Sequence, residues 1–134
     1  MAISDTCNPD LGTKQKPSLT ERPLLTLRQS LGLESIFKLL ANGTRLRILH
    51  ALARGGRLCV NELSEQLGMK PQAVSNQLQL LSYRGVVEAE RSGVQMFYTI
   101  IDPCVLILLD RSWCLTEDSQ TRIYENHNKN EKAS

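Results

Sequence analysis

"KPQAVSNQLQLL", residues Lys70 to Leu81, decides the fold, because its two sides ask for different surroundings. Val74, Leu78 and Leu81 recur at i, i+4 and i+7, the stripe of an amphipathic helix. The other side carries Gln72, Ser75, Asn76 and Gln79, and no charged residue occurs from Pro71 through Tyr83. Solvated helix faces are usually laced with Lys and Glu. Amides and a hydroxyl in their place call for a reason, and the flanking sequence supplies one.

Upstream, "NELSEQLG" is a short helix with Leu63 and Leu67 on its inner side and Gly68 stopping it. Pro71 suits the first turn of the next helix, where its missing N–H costs nothing. Two helices about a glycine turn form a helix-turn-helix. Downstream, "VVEAE" and "QMFYTI" read as strands joined by "RSG", a β-hairpin with Gly93 supplying the turn. A hairpin in that place adds a wing. Further upstream, helical periodicity starts at Pro23 with Leu24, Leu27, Leu31, Ile36, Phe37, Leu39 and Leu40, with Gly32 expected to interrupt or soften it. "NGT" makes a turn with Thr44 as the expected N-cap, and "RLRILHALAR" then buries Leu46, Leu49 and Leu52 up to the paired Gly55 and Gly56. Asp102 and Pro103 open a last helix, "DPCVLILLDRSWCL". The predicted order is α-α-α-α-β-β-α: mainly α, with a two-stranded hairpin, in a winged helix-turn-helix. A mobile arm is expected over 1–22, the folded domain over 23–118 and a polar, fraying tail over 119–134.

The chain's 134 residues suit one domain, and 41% hydrophobic with 22% charged residues suit a soluble one. The apolar run "CVLILL" is too short to span a bilayer, and "MAISDTCNPD" lacks the apolar stretch of a secretory signal, so no membrane partner and a cytoplasmic address are expected. Net charge is +2, but residues 35–100 carry eight basic side chains against four acidic ones, and residues 101–134 four against six. A basic middle fits a surface that faces a polyanion.

The blocks "LLANGTRLRILHAL", "LCVNELSEQLGMKPQAVSNQLQLL" and "GVVEAERSGVQMFYTI" together resemble the ArsR/SmtB family of dimeric winged-helix repressors, in order and at the right spacing over residues 33–118. The resemblance implies a homodimer on an imperfect palindrome of double-stranded DNA. It also gives the amide face a physical purpose. Gln and Asn bond bidentately to adenine in the major groove and Ser serves either base, whereas carboxylates would be repelled by the phosphates. Gln72, Ser75, Asn76 and Gln79, with Gln77 beside them, are therefore the expected base readers. Lys70 at the helix start and Arg91 and Gln95 in the wing are the expected phosphate contacts. The apolar residues Leu24, Leu27, Leu31, Val105, Leu106, Leu108 and Leu109 exceed what one small core covers and are expected to pair across a two-fold axis.

Four cysteines, Cys7, Cys59, Cys104 and Cys114, remain. Members of the resembled family release DNA on binding an effector, often a transition or thiophilic metal. "RLCVNEL" is similar to the family's metal box and keeps Cys59, with Asn61 where a second thiolate stands in cadmium/lead-type members; Cys7 lies where an arm cysteine would. At the last helix Asp102 and Cys104 occupy the first two ligand positions of zinc-type members, Leu115 and Asp118 the later two, with Cys114 one residue early. The resemblance thus implies a thiophilic divalent ion (cadmium, lead or zinc) on Cys59, Cys104, Asp102, Cys114 and Cys7. Two other uses of these thiols stay open: burial as small hydrophobes, and sensing of oxidants or persulfides. Catalysis finds no support, since no Cys/His/Asp arrangement or Gly-rich phosphate loop occurs. A winged helix serving protein contacts alone is the remaining class.

Overall fold

The computed structural model describes residues 16–133. After a 3-10 turn at Leu19–Glu21 come α1 (Leu27–Leu40), α2 (Gly43–Gly55), β1 (Leu58–Cys59), α3 (Val60–Leu67), α4 (Pro71–Tyr83), β2 (Val87–Ser92), β3 (Gln95–Ile100) and α5 (Pro103–Lys132). The expected helices and hairpin are all present. One strand is added: β1 pairs antiparallel with β3, Leu58 opposite Tyr98 and Cys59 opposite Phe97, so the sheet order is β1-β3-β2. In the hairpin Val87 faces Ile100 and Ser92 faces Gln95, and Gly93, at φ +63°, makes the turn that an L side chain would strain.

Unit one, through Pro103, owns the core. Ile48, Leu49 and Leu52 of α2, Leu63 of α3, Val74, Leu78 and Leu81 of α4 and Val87 of β2 are all but inaccessible. Each set recurs at helical spacing, so three helices and the sheet share one apolar centre. Burying such side chains supplies roughly 1.5–3 kcal/mol each. Tyr98 is buried, and its neighbour on β3, Phe97, lies half-buried beneath the Arg57 guanidinium, 4.2 Å from the ring centre.

Local caps depart from the sequence reading in places. The N-cap of α2 is Asn42, not Thr44: its Oδ1 accepts from the Arg45 N–H at 3.0 Å, which places Thr44 inside the first turn. Leu46 faces outward, and Ile48 takes the core position instead. Leu24 precedes α1, whose N-cap is Thr26 in a reciprocal capping box with Gln29. Gly32 does not interrupt α1.

Unit two is α5. It runs on through the expected polar tail to Lys132, because no Gly or Pro follows Pro103 and Asp118/Arg122 and Glu125/Lys129 are spaced as favourable i,i+4 pairs. It buries none of its residues, and Trp113, Leu115, Ile123 and Tyr124 are exposed. Among the described residues, no helix is long and apolar enough to cross a membrane.

Candidate nucleic-acid interface

The turn between α3 and α4 is built by its C-cap. Gly68 adopts the left-handed conformation (φ 64°, ψ 35°), and its N–H and that of Met69 both return to the Ser64 carbonyl. Ser64 Oγ also donates to the Met69 carbonyl, which fixes the exit. Lys70 follows as N-cap of α4 and is exposed, with Pro71 in the first turn.

Burial of Val74, Leu78 and Leu81 turns the opposite face of α4 outward. Gln72, Asn76 and Gln79 are exposed, and Ser75 is half-buried at the margin. At about 100° per residue these three exposed amides fall within about 60° of one another, diametrically across from the core stripe. Gln72 Nε2 donates to Asn76 Oδ1 at 2.8 Å, so the amides one turn apart hold each other oriented. The face displays both donors and acceptors and no charge.

Gln77 is placed differently. It is half-buried, and its Oε1 accepts from Arg45 Nη1 at 3.0 Å. Arg45 Nε in turn donates to the Leu39 carbonyl at 2.6 Å, near the end of α1. One guanidinium thus ties α1, α2 and α4 together. The helical wheel carries the signal for this: Gln77 lies about 60° from Val74, at the edge of the buried stripe. In the wing, Arg91 and Gln95 are exposed near the tip, and Arg91 Nε donates to the Gly93 carbonyl at 3.2 Å.

Known proteins share this arrangement of elements. Residues 42–89 match the model of the family described as "Bacterial regulatory protein, arsR family". The HTH-type transcriptional regulator NmtR of Mycobacterium tuberculosis is 37% identical over 93 residues, covering 69% of this chain and 77% of that protein. The chain belongs to the ArsR family. The transcriptional repressor SmtB homolog of Synechocystis is 30% identical over 102 residues, 76% of each. The crystal structure of the AntR antimony-specific transcriptional repressor is 50% identical, with a TM-score of 0.69 over 81% of this chain and 98% of that one. In this ArsR-family chain α3 and α4 are accordingly the helix-turn-helix, and β2 and β3 the wing.

The cysteines divide by position. Cys59 is 5% exposed, sits on β1 as N-cap of α3, and its N–H donates to the Glu62 carboxylate at 3.3 Å. It is part of the core. Cys104, in the first turn of α5, is half-buried and Cys114 is exposed; none of the three forms a disulfide. Asp102 lies just before α5, half-buried, and Cys7 lies outside the described residues. Among the described residues of one chain, no three His, Cys, Asp or Glu side chains converge on a metal position. The described residues of one chain alone therefore offer no such site. Cys104 and Cys114 stand ten residues apart on one helix, about 15 Å along its axis, too far to share a ligand within a chain.

Proposed function

We propose that the protein is a homodimeric repressor that reads an imperfect DNA palindrome and leaves it when a thiophilic ion binds cysteines of the last helix. The observation that supports the DNA half is the exposed, uncharged amide face of α4 behind a Gly68 turn. Gln72, Ser75, Asn76 and Gln79 read bases; Lys70, Arg91 and Gln95 hold phosphates. Two such heads related by a two-fold axis place recognition helices about 34 Å apart, one turn of duplex. The exposed Leu27 and Leu31 of α1 and the apolar start of α5 are the surfaces that pair.

The sensing half rests on α5. Cys104 and Cys114 lie about 80° apart around the helix, within one stripe. Antiparallel pairing of two α5 helices about Leu109 brings Cys104 level with Cys114 of the partner subunit, and the two-fold axis makes two such pairs. A thiolate pair selects soft ions. The 50% identity to an antimony-specific repressor adds trivalent antimony to the divalent cadmium, lead and zinc that the cysteines alone suggest. Binding at that seam changes the angle between the reading heads, and couplings of this kind amount to about 1–3 kcal/mol.

The test is release from DNA. A site recovered by selection from a random duplex pool is bound by the protein and titrated separately with antimony(III), cadmium, lead, zinc and a persulfide donor. Release by one of the ions, lost in Cys104→Ser and Cys114→Ser, supports the proposal. Release by the persulfide donor alone assigns the thiols to redox sensing. No release by any of them removes the sensing half, and failure to recover any site removes both.

A further inference from the structure

The outer face of α2 has a chemistry that neither the recognition helix nor the cysteines use. Arg47, His50 and Arg54 recur at i, i+3 and i+7, so they form one stripe along the helix. With Ala51, Gly55, Gln66 and Leu67 they line an open groove of about 580 Å³ between α2 and the end of α3. Among the described residues, no carboxylate lines it. Neither ion pair found among those residues, Lys38–Glu34 and Arg57–Glu90, draws on these three side chains. Among the described residues, two permanent cations and an imidazole thus face solvent with no carboxylate in the groove beside them.

Their position points to the ligand. Arg47 Nη2 donates to the Leu67 carbonyl at 3.1 Å, and Leu67 is the last residue of α3. Lys70, the N-cap of the recognition helix, is three residues on and so at most about 11 Å away at 3.8 Å per residue. The groove is therefore beside the end of α4 that enters a major groove in helix-turn-helix proteins. From Arg47 to Arg54 the stripe measures about 10 Å at 1.5 Å per residue. Backbone phosphates of one DNA strand recur about every 3.4 Å along the axis. Because the strand also winds around that axis, successive phosphates stand further apart than this rise, and the stripe is long enough for about two of them.

We propose that this groove is a second DNA contact, a phosphate track that takes the duplex backbone flanking each half-site and lengthens the footprint beyond the palindrome. It rests on the DNA-reading function proposed above and adds the flanking backbone to it. Arg47 fixes the track against the helix-turn-helix, and His50 and Arg54 extend it outward. The track carries no base information, so it adds affinity and salt dependence without changing which sequence is preferred.

The experiment uses the full chain and the site recovered from the random pool, once as the minimal palindrome and once with about ten base pairs of unrelated sequence added on each side. Binding is measured across a salt series for wild type and for the double variant His50→Gln/Arg54→Gln; Arg47 is left intact because it braces Leu67. Wild type is expected to bind the longer duplex several-fold tighter, with a log–log salt slope steeper by about 0.9 for each added phosphate, about 1.8 for one per protomer. The double variant is expected to bind both lengths alike, and the minimal duplex nearly as wild type does. Equal affinity of wild type for the two lengths overturns the track while leaving the reading of the palindrome intact. So does an equal loss by the variant on both lengths. Recovery of no preferred site at all removes the DNA-reading function and the track with it.

Discussion

Arg45 Nη1 donates to Gln77 Oε1 at 3.0 Å, and the same guanidinium holds the Leu39 carbonyl at 2.6 Å. The recognition helix is thereby tied to two other helices through one half-buried cation. Hydrogen bonds to a charged partner are worth about 1.5–3 kcal/mol when well shielded, and partial exposure here brings the lower end into play. Gln77→Ala is expected to lower unfolding stability by about 1 kcal/mol, and Arg45→Met by about 2 kcal/mol because the Leu39 carbonyl also loses its donor. Urea denaturation measures both. In DNA binding, Gln77→Ala is expected to weaken all sequences alike. A change of preference at one base pair would instead return Gln77 to the reading face.

Gln72 and Asn76 should behave in the opposite way. Both are exposed on the outer face of α4 and hydrogen-bond each other at 2.8 Å. Replacing either by Ala is expected to cost about 1–3 kcal/mol against the preferred base at one position and to relax specificity there. The double variant should lose less than the sum, since each single change also frees its neighbour's amide. Arg91→Ala should weaken every duplex and flatten the salt slope by about 1 for each phosphate that the guanidinium had neutralised. Selection of binding sites by each variant from a random pool separates these outcomes.

Much of the fold is legible in the sequence alone. Three apolar residues at helical spacing in α4, a glycine three residues before Pro71 and alternation across Gly93 are local signals, and local signals survive folding because the core they face is the one they specify. What the sequence hides depends on long-range partners. β1 is two residues long, too short for any period, and exists only because Leu58 and Cys59 meet Tyr98 and Phe97. The helical wheel puts Gln77 at the edge of the buried stripe and Gln79 outside it, but the partner that holds Gln77 is hidden, because Arg45 lies 32 residues away. Cys59 fits a ligand pattern, yet its place on β1 at the head of α3 buries it. The continuation of α5 to Lys132 is hidden because a polar, exposed helix and a polar coil share a composition.

The α2 cap gives a clean local test. Asn42 Oδ1 accepts from the Arg45 N–H at 3.0 Å, satisfying one of the first-turn donors that the helix cannot. Asn42→Ala is expected to destabilise the fold by about 1 kcal/mol, and Asn42→Asp to be nearly neutral, since both are strong caps. Thr44→Ala should do much less. A larger loss for Thr44→Ala in thermal or urea unfolding would reverse the assignment.

Pairing of chains is expected to depend on α1. Leu31 is 53% exposed in the single chain, so replacing it removes nothing from the core. Wild type should show a two-chain mass by light scattering at micromolar concentration. Leu31→Glu should shift that mass toward one chain with little change in helix content by circular dichroism, because a desolvated carboxylate at a pairing surface is costly. A one-chain mass for wild type would count against the dimer.

The cysteines should divide as their burial does. Cys59 is packed on β1 at 5% exposure, where Ser would bring a hydroxyl into an apolar setting; such groups cost about 1–3 kcal/mol when left unpaired. Cys59→Ser is therefore expected to lower stability while leaving release from DNA by an ion intact at temperatures where the variant is folded. Cys59→Ala should recover part of the loss, since the site asks for a small apolar group. Cys104→Ser and Cys114→Ser change residues that α5 leaves half-buried and exposed, and should unfold within about 0.5 kcal/mol of wild type. The same two variants are expected to hold DNA as wild type does but to ignore the inducing ion. Because each proposed pair takes one thiol from each chain, a mixed dimer of Cys104→Ser and Cys114→Ser chains should keep one complete pair. Partial response in that mixture, with none from either variant alone, distinguishes a shared site from one built within a single chain. Full response in Cys104→Ser, or loss of response in a well-folded Cys59→Ala, would move the sensor back to the head of α3.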